Sequence, residues 1–221
     1  ATVRAAGGLR SVIGDPIRPG QWQYRVGGVT GGCSVTFTTA ISLPGLGFAT
    51  LAWADVDRDG DLDFVAAGQV SGQPTTTLYI NTAGVFEAGS SANLPLVKDA
   101  EFAWGDYDND GDPDLLLAGD TGSTSVSRVY RNNRDGSFTD INAGLTGVSD
   151  GAVNWVDFDT DGFLDAFVTG RAPSVPGTGR AARLYRNTGA GAFTLITTSI
   201  AAVDGSAAAW SDIDGDGDMD L

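Results

Sequence analysis

The sequence predicts an all-β protein of the β-propeller class, built from four-stranded blades. The first observation is that the pattern DxDxDGxxD occurs four times, with starts separated by 51, 51 and 55 residues. The four copies are DVDRDGDLD (55–63), DYDNDGDPD (106–114), DFDTDGFLD (157–165) and DIDGDGDMD (212–220). The second observation is that short runs rich in Val, Ile, Phe and Tyr alternate with glycines, of which there are 32. Such runs favour strands, and no long stretch has the periodicity of an amphipathic helix.

Each repeat of about 51 residues is expected to contribute four strands in a fixed order. The first strand ends at a tryptophan two residues before the acidic loop, and the second is the apolar run after it, FVAAG, LLLAG or AFVTG. The third strand passes through a tyrosine, and the fourth through a phenylalanine beyond a glycine-bearing turn. These landmarks are Trp53, Trp104, Trp155 and Trp210, then Tyr79, Tyr130 and Tyr185, then Phe86, Phe138 and Phe193.

The repeat spacing predicts one propeller domain or propeller segment over residues 1–221, divided at the loops. The predicted parts are a partial blade with second to fourth strands (1–47), three blades (48–98, 99–149 and 150–204), and the first strand and loop of a split blade (205–221). Residues 1–47 could complete that split blade, because DGDMDL joined to ATVRAAGG resembles DGDLDFVAAG, and because Tyr24 and Phe37 take the tyrosine and phenylalanine positions. Closure into four blades, membership of a longer propeller and completion by a neighbouring molecule remain open alternatives.

The charge and composition exclude several functions. The formal net charge of −15 argues against binding nucleic acid or an anionic membrane through bulk electrostatics. No apolar run reaches the roughly 20 residues that a membrane-spanning helix needs, so membrane insertion is not expected. The chain has no histidine and a single cysteine, Cys33, and its remaining acids are scattered. The sequence therefore predicts that the protein is not an enzyme, and no catalytic residue is assigned.

The acidic loops predict cation binding, since several carboxylates so close together repel one another strongly without a counter-ion. Oxygen ligands at alternate positions and a glycine at position six suit Ca²⁺. Positions one, three, five and nine are predicted to bind through side chains, and position seven through its backbone carbonyl, since Phe163 has no side-chain oxygen. The predicted metal-binding residues are Asp55, Asp57, Asp59, Asp61 and Asp63; Asp106, Asp108, Asp110, Asp112 and Asp114; Asp157, Asp159, Asp161, Phe163 and Asp165; and Asp212, Asp214, Asp216, Asp218 and Asp220. An EF-hand is excluded, because position twelve is Ala66, Leu117 or Val168 rather than a glutamate.

The acidic loop, the preceding tryptophan and the following LYxN and GxF segments resemble the FG-GAP/VCBS repeats of calcium-binding β-propellers, the type that also forms the head of the integrin α-subunit. The resemblance covers at least residues 48–221. It implies that the loop joins the first two strands of each blade and holds Ca²⁺, about four ions in all. Propellers of that family usually have about seven blades, more than this sequence can supply.

The resemblance and the weak calcium affinity of such loops imply an extracellular or cell-surface location. The expected function is a non-catalytic adhesion, recognition or assembly module whose partner is a protein or glycan on a cell surface or in the matrix. One alternative is a subunit of an extracellular fibre that self-associates through the split blade. Another is a carbohydrate-binding propeller accessory to a secreted enzyme. The ligand-binding residues are unknown, and Trp22 is the better candidate for an exposed contact. Two alternatives stand for Arg131, Arg180, Arg183 and Arg186: contact with an acidic glycan or partner, or a place on a solvated rim, which is the favoured one.

Overall fold

A computed structural model describes residues 43–89, 93–189 and 191–221. Every regular element in these ranges is a strand, which confirms the all-β prediction for the described residues. The strands are β1 (Gly47–Ala54), β2 (Asp63–Val70), β3 (Gln73–Thr82), β4 (Val85–Ala88), β5 (Lys98–Gly105), β6 (Asp114–Asp120), β7 (Ser125–Asn132), β8 (Phe138–Asp140), β9 (Ser149–Val156), β10 (Asp165–Arg171), β11 (Arg180–Asn187) and β12 (Phe193–Ile196). The strands predicted before residue 43, together with Trp22, Tyr24, Cys33 and Phe37, lie outside the described residues.

The twelve strands form three antiparallel sheets of four strands, with orders β1-β2-β3-β4, β5-β6-β7-β8 and β9-β10-β11-β12. Each sheet follows chain order, as expected for consecutive hairpins. An acidic loop joins the first strand to the second in all three sheets. The prediction of four-stranded repeat units is thus confirmed for three repeats, and the sheets are consistent with propeller-like blades.

The second strand of each sheet is buried on both faces. β2, β6 and β10 each begin with six consecutive buried residues, starting at the last aspartate of the loop. A strand enclosed on both faces requires a continuous apolar run rather than an alternating pattern. This explains why FVAAG, LLLAG and AFVTG show no polar alternation.

Adjacent sheets pack face to face through apolar side chains and a repeated tryptophan bond. Val65 and Leu78 of the first sheet share one core with Leu115 and Leu117 of the second. The indole Nε1 of Trp104 donates to the Ala52 carbonyl (3.3 Å), and that of Trp155 donates to the Ala103 carbonyl (3.1 Å). Trp104 and Trp155 therefore fix their sheets against the preceding one.

A bulge near the start of each first strand was not predicted from the sequence. Phe48, Asp99 and Asp150 have positive φ angles of 49°, 46° and 50°, and the pairing register shifts beside them. The glycine that closes the following apolar run lies opposite the bulge. A Cβ at Gly68 would lie 2.7 Å from the Gly47 carbonyl oxygen, so the repeated glycine is required by close backbone approach.

The fourth repeat contains less regular structure in the described residues. Its loop is closed by a single bridge between Ser211 and Asp220, whose backbone bonds are 3.0 and 2.9 Å. Trp210 packs on Phe167 of the third sheet with ring centroids 5.5 Å apart. The described residues contain no helix with the length and apolar character needed to cross a membrane.

Candidate metal centres

The backbone of the acidic loop has the same conformation in each repeat. Position six is Gly60, Gly111, Gly162 or Gly217, with φ angles of 94°, 91°, 90° and 95°. Only glycine adopts this region without steric strain. Position four also has a positive φ, which is 58° at Thr160. Two left-handed residues in quick succession curl the loop so that its carboxylates face inward.

Three carboxylates meet in every loop. Positions one, three and nine each offer one oxygen, and these oxygens lie within 4.8 Å of one another. The groups are Asp55, Asp57 and Asp63; Asp106, Asp108 and Asp114; Asp157, Asp159 and Asp165; and Asp212, Asp214 and Asp220. This spacing allows one cation to contact all three carboxylates of a loop.

Position nine is the buried anchor of the first three groups. Asp63, Asp114 and Asp165 are 0% exposed. Each accepts two backbone N–H bonds, and Asp165 accepts them from Phe158 (3.1 Å) and Asn187 (2.7 Å). Burial raises the pKa of the Asp114 carboxyl to about 7 and that of Asp165 to about 6, and it raises the pKa of Asp63 above its usual value. Without a cation, these sites therefore disfavour the ionised carboxylates.

Position five bonds within its own loop. Its side chain accepts the backbone N–H of position seven in each loop, for example Asp59 from Asp61 at 2.8 Å and Asp161 from Phe163 at 3.0 Å. The carboxylates of Asp59, Asp110, Asp161 and Asp216 do not belong to the three-carboxylate groups of the described loops. Their role as ligands stays a prediction.

Position seven directs its carboxylate to other partners. Asp112 is 1% exposed and pairs with Arg58 (3.2 Å) and Arg134. Asp61 accepts the backbone N–H of Ala83 at 2.7 Å. These contacts occupy the side chains of position seven in the first two loops, and its backbone carbonyl stays a predicted ligand.

Unpaired oxygens test whether a cation fits these loops. Asp55 Oδ1, Asp108 Oδ1 and Asp159 Oδ1 are buried and have no hydrogen-bond partner among the described residues. Each belongs to a three-carboxylate group at position one or three. A buried, unpaired carboxylate oxygen next to other carboxylates is costly, and a hard divalent cation would satisfy it. The residues present therefore fit Ca²⁺.

The sequence assigned no role to the asparagine of the LYxN segment, which supports each of the first three loops from the third strand. Asn187 donates its side-chain N–H groups to the Tyr107 carbonyl (2.8 Å) and the Leu164 carbonyl (3.1 Å), and Asn132 bonds the Val56 carbonyl (2.8 Å) in the same way. The asparagine thereby connects its own loop to the loop of the preceding repeat. Its occurrence two residues after each tyrosine was the available signal.

The described first strands also line an open cleft of about 300 Å³. Its walls include equivalent positions of three repeats, among them Phe48, Asp99 and Asp150. Its volume lies at the lower limit of small-molecule sites. The cleft adds no identifiable chemistry, and the ligand-binding residues stay unassigned.

Comparison with known proteins places these loops in a family. No curated protein matches the chain significantly. Among solved structures, a lectin from Agrocybe aegerita, described as recognising non-reducing terminal N-acetylglucosamine, shares 21% identity at a TM-score of 0.40. That alignment covers 66% of this chain and 37% of the lectin. The sugar specificity is stated for the lectin alone. The FG-GAP-like repeat model matches residues 55–117, 106–168 and 170–221, and the chain therefore belongs to the FG-GAP-like repeat family.

Proposed function

We propose that this protein is a calcium-stabilised recognition module that works outside the cell and has no catalytic activity. The observation that carries the calcium assignment is the repeated group of three carboxylates whose oxygens lie within 4.8 Å of one another. The unpaired oxygens of Asp55, Asp108 and Asp159 support it. Membership of the FG-GAP-like repeat family supports a recognition role rather than a catalytic one.

Calcium would neutralise the repulsion among the loop carboxylates, while the chain's own residues hold these carboxylates in place. Position nine is anchored by two backbone N–H bonds, and position one by the N–H of the glycine, as in the 3.0 Å bond from Gly162 to Asp157. Because these bonds hold the carboxylates in position, binding would require little rearrangement. Loops of this kind bind Ca²⁺ with dissociation constants of about 10⁻⁴ to 10⁻³ M in extracellular modules.

The expected affinity supports an extracellular location. At about 1 mM calcium, each site would add about 0.5 to 1.4 kcal/mol, and four sites about 2 to 6 kcal/mol. That sum is comparable with the net stability of a whole domain. In a cytosol with far less free calcium, such sites would stay largely empty and contribute little.

We extend the proposal to architecture: the three sheets are blades of a propeller whose faces present the recognition surface. The repeated tryptophan bonds from Trp104 and Trp155 to the preceding sheet support a regular blade-to-blade arrangement. The partner is a protein or glycan on a cell surface or in the matrix.

The first test is urea unfolding of the full chain in 2 mM Ca²⁺, in 2 mM Mg²⁺ and in EGTA. We expect Ca²⁺ to raise the free energy of unfolding by about 3 to 7 kcal/mol over EGTA, and Mg²⁺ to raise it much less, because Mg²⁺ dehydrates reluctantly. Isothermal titration should give about four ions per chain. Identical unfolding curves in Ca²⁺ and EGTA would contradict the calcium assignment.

The recognition role needs a separate test. Calcium-loaded chain should bind a defined set of immobilised glycans or matrix proteins, and this binding should be lost in EGTA. Absence of binding to both classes would contradict the recognition role and leave the calcium assignment intact.

A further inference from the structure

One basic side chain directly contacts a member of a three-carboxylate group in the described loops. The guanidinium of Arg186 lies 2.7 Å (Nε) from Asp159 Oδ2 and 3.3 Å (Nη2) from Asp161 Oδ2. Asp159 belongs to the three-carboxylate group of the third loop, and its other oxygen, Oδ1, is buried without a hydrogen-bond partner in the described structure. Asp159 therefore contacts Arg186 through Oδ2, while its Oδ1 is the oxygen available to a metal ion.

The contact is not repeated at the equivalent positions of the other described repeats. Arg186 stands one residue before the loop-supporting asparagine, where the first repeat has Ile80 and the second has Arg131. Arg131 forms no ion pair with a carboxylate of the described loops, in contrast to Arg186. Within the described ranges, no Lys or Arg forms an ion pair with the carboxylates of the first loop. Arg58 belongs to that loop, but it pairs with Asp112 of the second loop. In the second loop, Arg134 pairs with Asp110 and Asp112, which lie outside the three-carboxylate group. Direct contact between an arginine and a member of that group is thus a feature of the third loop.

We propose that Arg186 is a built-in counter-ion of the third loop, which stabilises that loop without calcium and weakens calcium binding there. The inference rests on the proposed calcium function. In the empty loop, the guanidinium offsets the repulsion between Asp159 and its neighbours. Once calcium occupies the site, the same positive charge opposes the ion. Both effects lower calcium affinity, and screening keeps them moderate because the Arg186 side chain is 48% exposed.

The opposite effect is also physically conceivable and gives the proposal its test. By holding Asp159 Oδ2, Arg186 could orient Oδ1 toward the ion and so tighten binding. A charge effect and an orientation effect predict opposite responses to removal of the guanidinium. The third loop also has Phe163 where the first has Asp61. A difference in calcium affinity between the two loops could therefore come from either residue. Only a variant at Arg186 isolates the effect of the arginine.

The experiment is hydrogen exchange with mass spectrometry on the full chain, titrated with Ca²⁺ from EGTA to 10 mM. Peptides covering residues 157–165 report on the third loop, and those covering residues 55–63 report on the first. In Arg186→Leu, we expect the calcium midpoint of the third loop to fall by about two- to fivefold and exchange in EGTA to become faster. The midpoint of the first loop should not change.

Two further variants separate charge from packing. Arg183→Leu is the matched control on the same strand, because the Arg183 side chain donates to the Ala182 carbonyl (3.2 Å) and forms no ion pair with a described loop carboxylate. Its third-loop midpoint should equal that of the wild type. Arg186→Lys keeps the charge but loses the two-point contact, so its midpoint should lie between those of the wild type and Arg186→Leu.

Each outcome has a distinct meaning. A higher third-loop midpoint in Arg186→Leu, an unchanged one, or a lysine variant that behaves like leucine would overturn the counter-ion role. If no loop responds to calcium even in the wild type, the proposed calcium function itself fails. If the loops respond but Arg186→Leu has no effect, the counter-ion inference alone fails.

Discussion

The third and fourth acidic loops share one sequence pattern and one local geometry, but they differ in burial. In both loops, position one accepts the N–H of the position-six glycine, at 3.0 Å in Asp157 and 3.1 Å in Asp212. Both bring three carboxylates together. Yet Asp165 is fully buried, whereas Asp220 is exposed and its carboxylate accepts one hydrogen bond among the described residues, from the backbone N–H of Ile213 (3.0 Å).

The difference comes from partners outside the loop. Asp165 receives a second N–H bond from Asn187 on β11, the third strand of its sheet. In the described chain, no third-strand asparagine takes that place for Asp220. The loop motif is therefore sufficient to gather the carboxylates, whereas neighbouring strands are needed to bury and anchor them. The variants below test this division.

The largest effect is expected from Asp165→Asn. The amide keeps the shape of the side chain, but its N–H₂ group faces one of the two backbone N–H donors, Phe158 or Asn187. That donor is left buried without an acceptor. The change also removes the negative charge of a predicted calcium ligand. We expect a loss of about 2 to 4 kcal/mol in the free energy of unfolding, measured by urea denaturation in 2 mM Ca²⁺. Asp220→Asn, the matched control, should lose less than about 1 kcal/mol, because exposed groups remain solvated. Equal losses would show that burial by the third strand does not matter.

A smaller effect is expected from Asn187→Ala. The change leaves the carbonyls of Tyr107 and Leu164 without their side-chain donors, for a loss of about 2 kcal/mol in thermal or urea unfolding. Asn81→Ala is the comparison, since its side chain donates to the Leu62 carbonyl (3.1 Å) at an exposed position and should lose less than about 1 kcal/mol. A larger loss at Asn81 than at Asn187 would contradict the assigned anchoring role.

The smallest effect is expected from Gly162→Ala. No atom lies within 4 Å of the added Cβ, so the change acts only through the positive φ of 90° and should lose about 1 kcal/mol. Gly217→Ala introduces the same strain at φ 95° with equally open space. Because the fourth loop is less anchored, the strain from Gly217→Ala can relax locally. Gly217→Ala should therefore lower the free energy of global unfolding less than Gly162→Ala does. Calcium affinity measured loop by loop should fall in both variants.

Sequence reasoning succeeded where a feature depends on neighbouring residues. The four-stranded repeats, the loop between first and second strands and the inward-facing carboxylates follow from turn-forming glycines, apolar runs and the DxDxDGxxD spacing. It failed where the feature depends on distant partners. The bulge at Asp99 arises from pairing with β6, and the contact of Arg186 with Asp159 joins residues 27 positions apart. An arginine expected on a solvated rim therefore lies against a candidate metal centre.

By itself, the sequence determined the repeat length, the strand content and the acidic loops, because each is encoded within a few consecutive residues whose conformation is set by local sterics and by short-range hydrogen bonds. The tertiary structure alone decided which carboxylates are buried, which asparagine anchors them and which loop receives an arginine. Those properties depend on side chains from other strands and repeats, and on the removal of water when the sheets pack together. Among the described residues, the last aspartate of the same nine-residue motif is therefore buried at Asp165 and exposed at Asp220.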